Sequence, residues 1–140
     1  MIKSIYPCLW FDGKAKEAAG FYCSVFKNSK ITHENPIVVS FELEGKPFMA
    51  LNGGPNFKFN ESVSFVISCE TQEDIDYYWN KLSEGGREDQ CGWLKDKFGL
   101  SWQVVPSVMG ELMSDPERAQ RVIRTFMPMK KLIIKDLVNA

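Results

Sequence analysis

The order strand, helix, hairpin occurs twice along this chain, and a repeat of that size limits the possible folds more than any other feature. Residues 5–11 read as a strand of aromatic and branched side chains closed by Asp12-Gly13. Asp12 is placed to cap the next element, because its carboxylate can accept from unpaired backbone N–H groups. Ala15, Ala18, Ala19, Tyr22, Val25 and Phe26 share one helical face, which predicts a helix over 14–26 stopped by Lys27-Asn28-Ser29. Short strands follow over 30–34, 37–43 and 46–51, the last two joined at Glu44-Gly45, where glycine supplies a positive φ. Asn52-Gly53-Gly54-Pro55 ends the first half with residues that disfavour regular structure.

The second half follows the same plan. Val63, Phe65 and Ile67 alternate with Ser62, Ser64 and Ser68, the period of a half-buried strand. Thr71-Gln72-Glu73-Asp74 opens a helix that runs to Ser83 and stops at Gly85-Gly86. A loop through Gln90-Cys91-Gly92 leads to Trp93-Leu94-Lys95, a turn over 96–99 and a strand over 100–106. Phe21-Tyr22 with Phe26 matches Tyr77-Tyr78 with Leu82, and the hairpin around Gly45 matches the hairpin around Gly99. One such βαβββ unit cannot cover its own sheet, so two should pair their sheets with a helix on each outer face. The expected fold is therefore α+β, a single domain over 1–140. Its parts are modules at 1–55 and 60–108 and a C-terminal helical extension at 109–140. In that extension Asp115-Pro116-Glu117 starts a helix with Pro at its first position. Ala119, Val122, Ile123 and Phe126 form its stripe, and Pro128 breaks it. The tail Leu132, Ile133, Ile134, Leu137 and Val138 is apolar, suited to docking on the domain or on a partner subunit.

Composition excludes several classes of function. Seventeen basic and eighteen acidic residues leave a net charge of −1 and are interspersed, so the basic face of a nucleic-acid binder is absent. No apolar run approaches the ~20 residues that span a bilayer. The first residues lack an apolar signal core, so the expected location is cytoplasmic. Cys8, Cys23, Cys69 and Cys91 form no C-x-x-C pair and are read as reduced, small hydrophobes. Cys91 alone has a loop-like setting.

Pro7-x-Leu9-x-Phe11-x-Gly13, then Ala15, Glu17-Ala18, Phe21-Tyr22 and Phe26, open a pattern. Leu51-Asn52-Gly53-Gly54-Pro55, Ser64-Phe65 and Gln90-Cys91-Gly92-Trp93-x-x-Asp96-x-Phe98-Gly99 continue it. Over roughly residues 3–135 the chain resembles the PhnB-like branch of the vicinal oxygen chelate superfamily, which includes glyoxalase I, bleomycin-resistance and extradiol dioxygenase proteins. The resemblance implies paired βαβββ modules forming a cupped mixed sheet, commonly in a homodimer. Relatives often carry the label 3-demethylubiquinone 3-methyltransferase.

In metal-dependent members of that superfamily, His and Glu side chains from four strands hold a divalent ion in the cup. Here the matching positions carry Pro7 or Cys8, Met49, Ser62 (Ser64 if the register slips by two) and Gln103. These are poor donors for a hard or borderline ion, and the expectation is no metal and no other cofactor. The single histidine, His33, falls on a peripheral strand. Strand parity would turn Met49, Leu51, Ser62, Ser64, Val66, Ser101, Gln103 and Val105 into the cup and Trp102 and Val104 toward a helix. Met49, Asn52, Ser62, Ser64, Cys91 and Gln103 are thus the candidate ligand-binding residues, and the partner is a small molecule. No catalytic residue is assigned. Glu61, Glu70 and Asp96 are the charged candidates for acid–base work, with Asp96 read as a turn residue bonding its own backbone. Two function classes follow: a metal-free binding protein of the antibiotic-sequestering type, or an enzyme. The enzyme would use unrecognised metal ligands, Cys91 as nucleophile, or the methyl transfer that the family label names. That last chemistry normally uses a doubly wound sheet with a glycine-rich turn after its first strand. Gly53-Gly54 and Gly85-Gly86 follow a hairpin and a helix instead.

Overall fold

The computed structural model describes residues 1–140 and divides them into two compact units, Met1–Phe59 and Asn60–Ala140. In the first unit β1 (Cys8–Phe11) leads to α1 (Ala15–Val25), followed by β2 (Lys30–Glu34), β3 (Val38–Leu43) and β4 (Lys46–Asn52). Its sheet has the order β1-β4-β3-β2, with β1 parallel to β4 and the other pairs antiparallel. The hairpin between β3 and β4 turns on Glu44 (φ 50°) and Gly45 (φ 76°). Two successive positive φ values give a turn whose twist matches the flanking strands. Ala15, Ala18, Ala19, Tyr22 and Val25 are buried along one side of α1, the stripe that the spacing predicts.

The cap of α1 differs from the expectation. Asp12 makes no capping bond; Lys14 occupies the cap position, and the Ala15 N–H donates to Oδ1 of Asn52 at 2.9 Å. Asn52 also donates from Nδ2 to the Pro36 carbonyl at 3.1 Å. Its amide thus ties the end of β4 to the start of α1. A bond spanning 37 residues of chain cannot be read from local spacing.

The second unit has β5 (Ser64–Cys69), α2 (Gln72–Ser83), β6 (Arg87–Glu88), β7 (Trp93–Lys95) and β8 (Ser101–Pro106). Its order β5-β8-β7-β6 reproduces the first sheet, with β5 and β8 as the parallel pair. The repeated βαβββ plan is therefore real in both order and strand direction. The Thr71 hydroxyl accepts from the Asp74 N–H at 3.1 Å and so caps the start of α2. The strand β6 has only two residues, too few to leave a periodic signal. β5 starts at Ser64, so Ser62 and Val63 lie outside it; Val63 is 63% exposed rather than packed under a helix.

The extension contains α3 (Met109–Leu112), α4 (Pro116–Phe126) and α5 (Ile134–Val138). Asp115 caps α4 by accepting from the Arg118 N–H, with Pro116 at the first helical position, as expected. Leu112, Val122, Leu132 and Leu137 form a buried cluster that Met109, Met113 and Phe126 pack against. Leu132 and Leu137 of the apolar tail therefore dock on their own unit. Of the cysteines, Cys8 is exposed, Cys23 and Cys91 are half-buried and Cys69 is buried; none is in a disulfide. Cys8, read as a small hydrophobe, is exposed at the start of β1. Burial pushes the Cys69 thiol up to about 11, with Asp74 adding to the effect. No helix is long and apolar enough to cross a membrane.

Candidate functional site

The site is built on the second sheet, whose two faces differ because β8 alternates. Trp102 and Val104 are buried on the side that α2 covers, while Gln103 and Val105 turn the other way and are half-buried. Strand register then lays out that second face in rows. Val66, Gln103 and Trp93 lie abreast on β5, β8 and β7, and Ser64, Ser101 and Lys95 form the neighbouring row. The Gln103 side chain leans between the rows and donates from Nε2 to the Ser64 hydroxyl at 3.0 Å.

A cavity of about 280 Å³ opens above this face, walled by Cys91, Trp93, Gln103, Val105, Met109, Met113, Phe126 and Leu132. Six of these side chains are hydrocarbon, thioether or aromatic; the Gln103 amide and the Cys91 thiol are the polar exceptions. Such a lining is typical of small-molecule sites. Met109, Met113, Phe126 and Leu132 come from the extension, which therefore serves as the far wall.

The loop that carries Cys91 is stitched to that wall. The Cys91 and Gly92 N–H groups donate to the Met129 and Lys130 carbonyls at 2.7 and 2.8 Å. Cys91 holds φ at 60°, a value that non-glycine residues adopt rarely and often near functional sites. Gly92 (φ 84°) has no room for a side chain, since a Cβ there would lie 2.8 Å from the Val104 carbonyl oxygen. The Cys91 Sγ sits 3.6 Å from the Met127 carbonyl oxygen and 3.9 Å from the Met127 Sδ.

The turn below is held by Asp96, which is only 2% exposed. Its Oδ1 accepts from the Phe98 and Leu100 N–H groups at 2.8 and 3.1 Å, and its Oδ2 accepts from the Trp102 indole at 2.9 Å. Asp96 thus organises the β7–β8 turn and takes no part in the cavity. Glu61 is exposed and binds Lys95 Nζ at 2.8 Å and Arg87 at 3.7 Å. The Lys95 hydrogen bond is the main reason its carboxyl is held below the usual carboxylate range; its own backbone and the Arg87 charge contribute less.

Of the candidates named from sequence, the second unit brings Ser64, Cys91 and Gln103 to one face. Ser62 lies before β5, exposed, and its N–H donates to Asn60 Oδ1. Met49 and Asn52 belong to the first unit, where Met49 is half-buried on β4 and the Asn52 amide is occupied with the cap of α1. His33 lies on β2, exposed throughout. Sequence reasoning missed the wall from α3 and α4. The i, i+4 pair Met109 and Met113 was the available signal, but four residues of helix are too short to show a period. No group of three or more His, Cys, Asp or Glu side chains converges in the chain.

Residues 3–105 match the family model 3-demethylubiquinone-9 3-methyltransferase. Among solved structures, a PhnB protein from Bacillus cereus with the same methyltransferase label is 33% identical, with a TM-score of 0.68 over 74% of this chain and 99% of its own. A Pseudomonas aeruginosa protein is 18% identical, TM-score 0.61, over 75% of this chain and 98% of its own. The fosfomycin resistance protein FosX from Listeria monocytogenes is 15% identical, TM-score 0.52, over 74% and 91%; these last two share the fold. No curated protein matches the sequence significantly.

Proposed function

The chain belongs to the 3-demethylubiquinone-9 3-methyltransferase (PhnB-like) family of the vicinal oxygen chelate superfamily, and from that premise we propose that it binds a small, largely apolar molecule without a metal. The cavity between the second sheet and α3–α4 carries this reading: its lining is apolar apart from one neutral amide and one thiol. The superfamily's metal chemistry needs imidazole and carboxylate donors. The residues that the resemblance puts at the corresponding positions are Met49, Ser62 (Ser64 if the register slips by two), Gln103 and Pro7 or Cys8, which do not suit a hard or borderline divalent ion. Methyl transfer, which the family label names, is disfavoured by topology. Each sheet has four strands with a single parallel pair, not the doubly wound parallel sheet that usually holds a methyl donor. A second reading, covalent chemistry at Cys91, is favoured by the thiol's place in the cavity wall.

The test uses prodan, a neutral naphthyl ketone whose emission shifts in apolar surroundings. It should bind saturably, one per chain. Val105→Trp, which fills the cavity from the sheet side, should abolish binding. Gln103→Ala should weaken it about 2- to 10-fold, the worth of one neutral hydrogen bond. Binding unaffected by Val105→Trp would remove the cavity from consideration.

We also propose a homodimer, as closed two-fold pairs are the commonest oligomers. The edge strand β5 has an unpaired side in its sheet, and Val66 on it is 59% exposed. Light scattering at micromolar concentration should report twice the chain mass; a monomer would reject the pairing.

A further inference from the structure

Beside the cavity, the row Ser64, Ser101, Lys95 forms a polar stripe with more donors than acceptors. Ser101 is completely buried, yet its Oγ has no hydrogen-bond partner. An orphaned buried hydroxyl is uncommon in folded proteins and calls for a reason. Its strand neighbours on either side are Ser64 and Lys95. The Ser64 oxygen accepts from Gln103 Nε2, which leaves its own proton to donate. Lys95 has three N–H donors, its side chain is only 20% exposed, and its salt-bridge partner is Glu61, 56% exposed on the segment before β5. A half-buried ammonium whose counter-charge sits on an exposed segment can exchange that counter-charge for another at little cost. From Gln103 to Lys95 the stripe thus runs from the cavity wall to an ammonium, with two hydroxyls on the way; Arg87, the next residue in the row, is held by Asp89 at 2.7 Å.

We infer that this stripe receives the oxyanion head of the ligand, a monocarboxylate whose apolar body fills the cavity; the inference rests on the cavity's being a binding site. The incoming carboxylate displaces Glu61 from Lys95 and accepts from Ser64, and the Ser101 hydroxyl, sealed at 0% exposure, comes within its reach only as Lys95 gives up Glu61. A charge-assisted bond of this kind is about twice as strong as a neutral one. Arg87 is already matched by Asp89, so Lys95 alone is left for one negative charge, and a phosphate monoester would carry an uncompensated second one.

The experiment compares 2-naphthoate with its neutral isostere 2-naphthamide and with 2-naphthyl phosphate, by calorimetry at low salt, with prodan as the control for the cavity. Naphthoate should bind about tenfold more tightly than naphthamide. Lys95→Met should erase that difference, and Ser101→Ala should reduce it, with prodan binding intact in both. Glu61→Gln removes the competing carboxylate and should tighten naphthoate about two- to threefold. Equal binding of naphthoate and naphthamide with prodan still bound would overturn the head-group assignment and leave the cavity reading standing. Loss of prodan binding in the unaltered protein would overturn both. Tighter binding of the phosphate than of the carboxylate would overturn the choice of head.

Discussion

Asp96→Ala should destabilise the second unit by roughly 4 kcal/mol, because three donors in its surroundings lose their acceptor together. The Phe98 and Leu100 N–H groups and the Trp102 indole converge on this one carboxylate. A hydrogen bond to a charged group contributes about 1.5–3 kcal/mol, and a buried donor left unpaired costs about 1–3 kcal/mol. The three losses overlap, since all follow from the same side chain, so their simple sum is an upper bound. Even so, the change is a large share of the 5–15 kcal/mol that typically holds a domain together. Urea unfolding followed by circular dichroism should show the midpoint falling with little change in slope. Asp96→Asn keeps one acceptor oxygen, which can serve the two backbone groups or the indole, and should lose less. A loss under about 1 kcal/mol for Asp96→Ala would mean that water replaces the carboxylate and that the turn is set by Gly99 and the strand pairing.

Asp96 also shows what a sequence can and cannot reveal. Its role as a turn residue follows from its place between two strands, because an Asp there bonds backbone groups two and four residues on. The indole of Trp102 belongs to the next strand, and only the pairing of Leu94 with Trp102 makes the reach evident. The repeated plan was legible for a similar reason: strand alternation, helical stripes and turn glycines are local. The parity of β8 was legible too, since Trp102 and Val104 against Gln103 and Val105 follows from period two. Asn52 was misread because its partners Ala15 and Pro36 are distant in sequence. Ser62 was misread because the alternation begins at Ser62-Val63, two residues before strand pairing starts at Ser64. The far wall of the cavity was not legible, since short helices bury their residues by tertiary contact and not by a long stripe.

That wall can be separated into support and lining by two leucines of the tail. Leu132 and Leu137 are both buried, at 1% and 0% exposure, in the cluster with Leu112 and Val122. Truncation of either to alanine removes the transfer free energy of the lost carbons and leaves a void, about 2–5 kcal/mol in total. In stability the two variants should therefore look alike. They differ in what their side chains face, because Leu132 lines the cavity and also approaches Gly92, whereas Leu137 does neither. Leu132→Ala should enlarge the cavity and loosen the contact with the Cys91-Gly92 loop, so prodan binding should weaken or its emission should shift toward the red. Leu137→Ala, measured at a temperature where it is still folded, should bind prodan as the unaltered protein does. A stability loss in both variants with prodan affected only in Leu132→Ala would make the C-terminal tail part of the binding site. If both variants bind prodan unchanged, the extension merely stabilises the unit and the ligand lies elsewhere on the sheet.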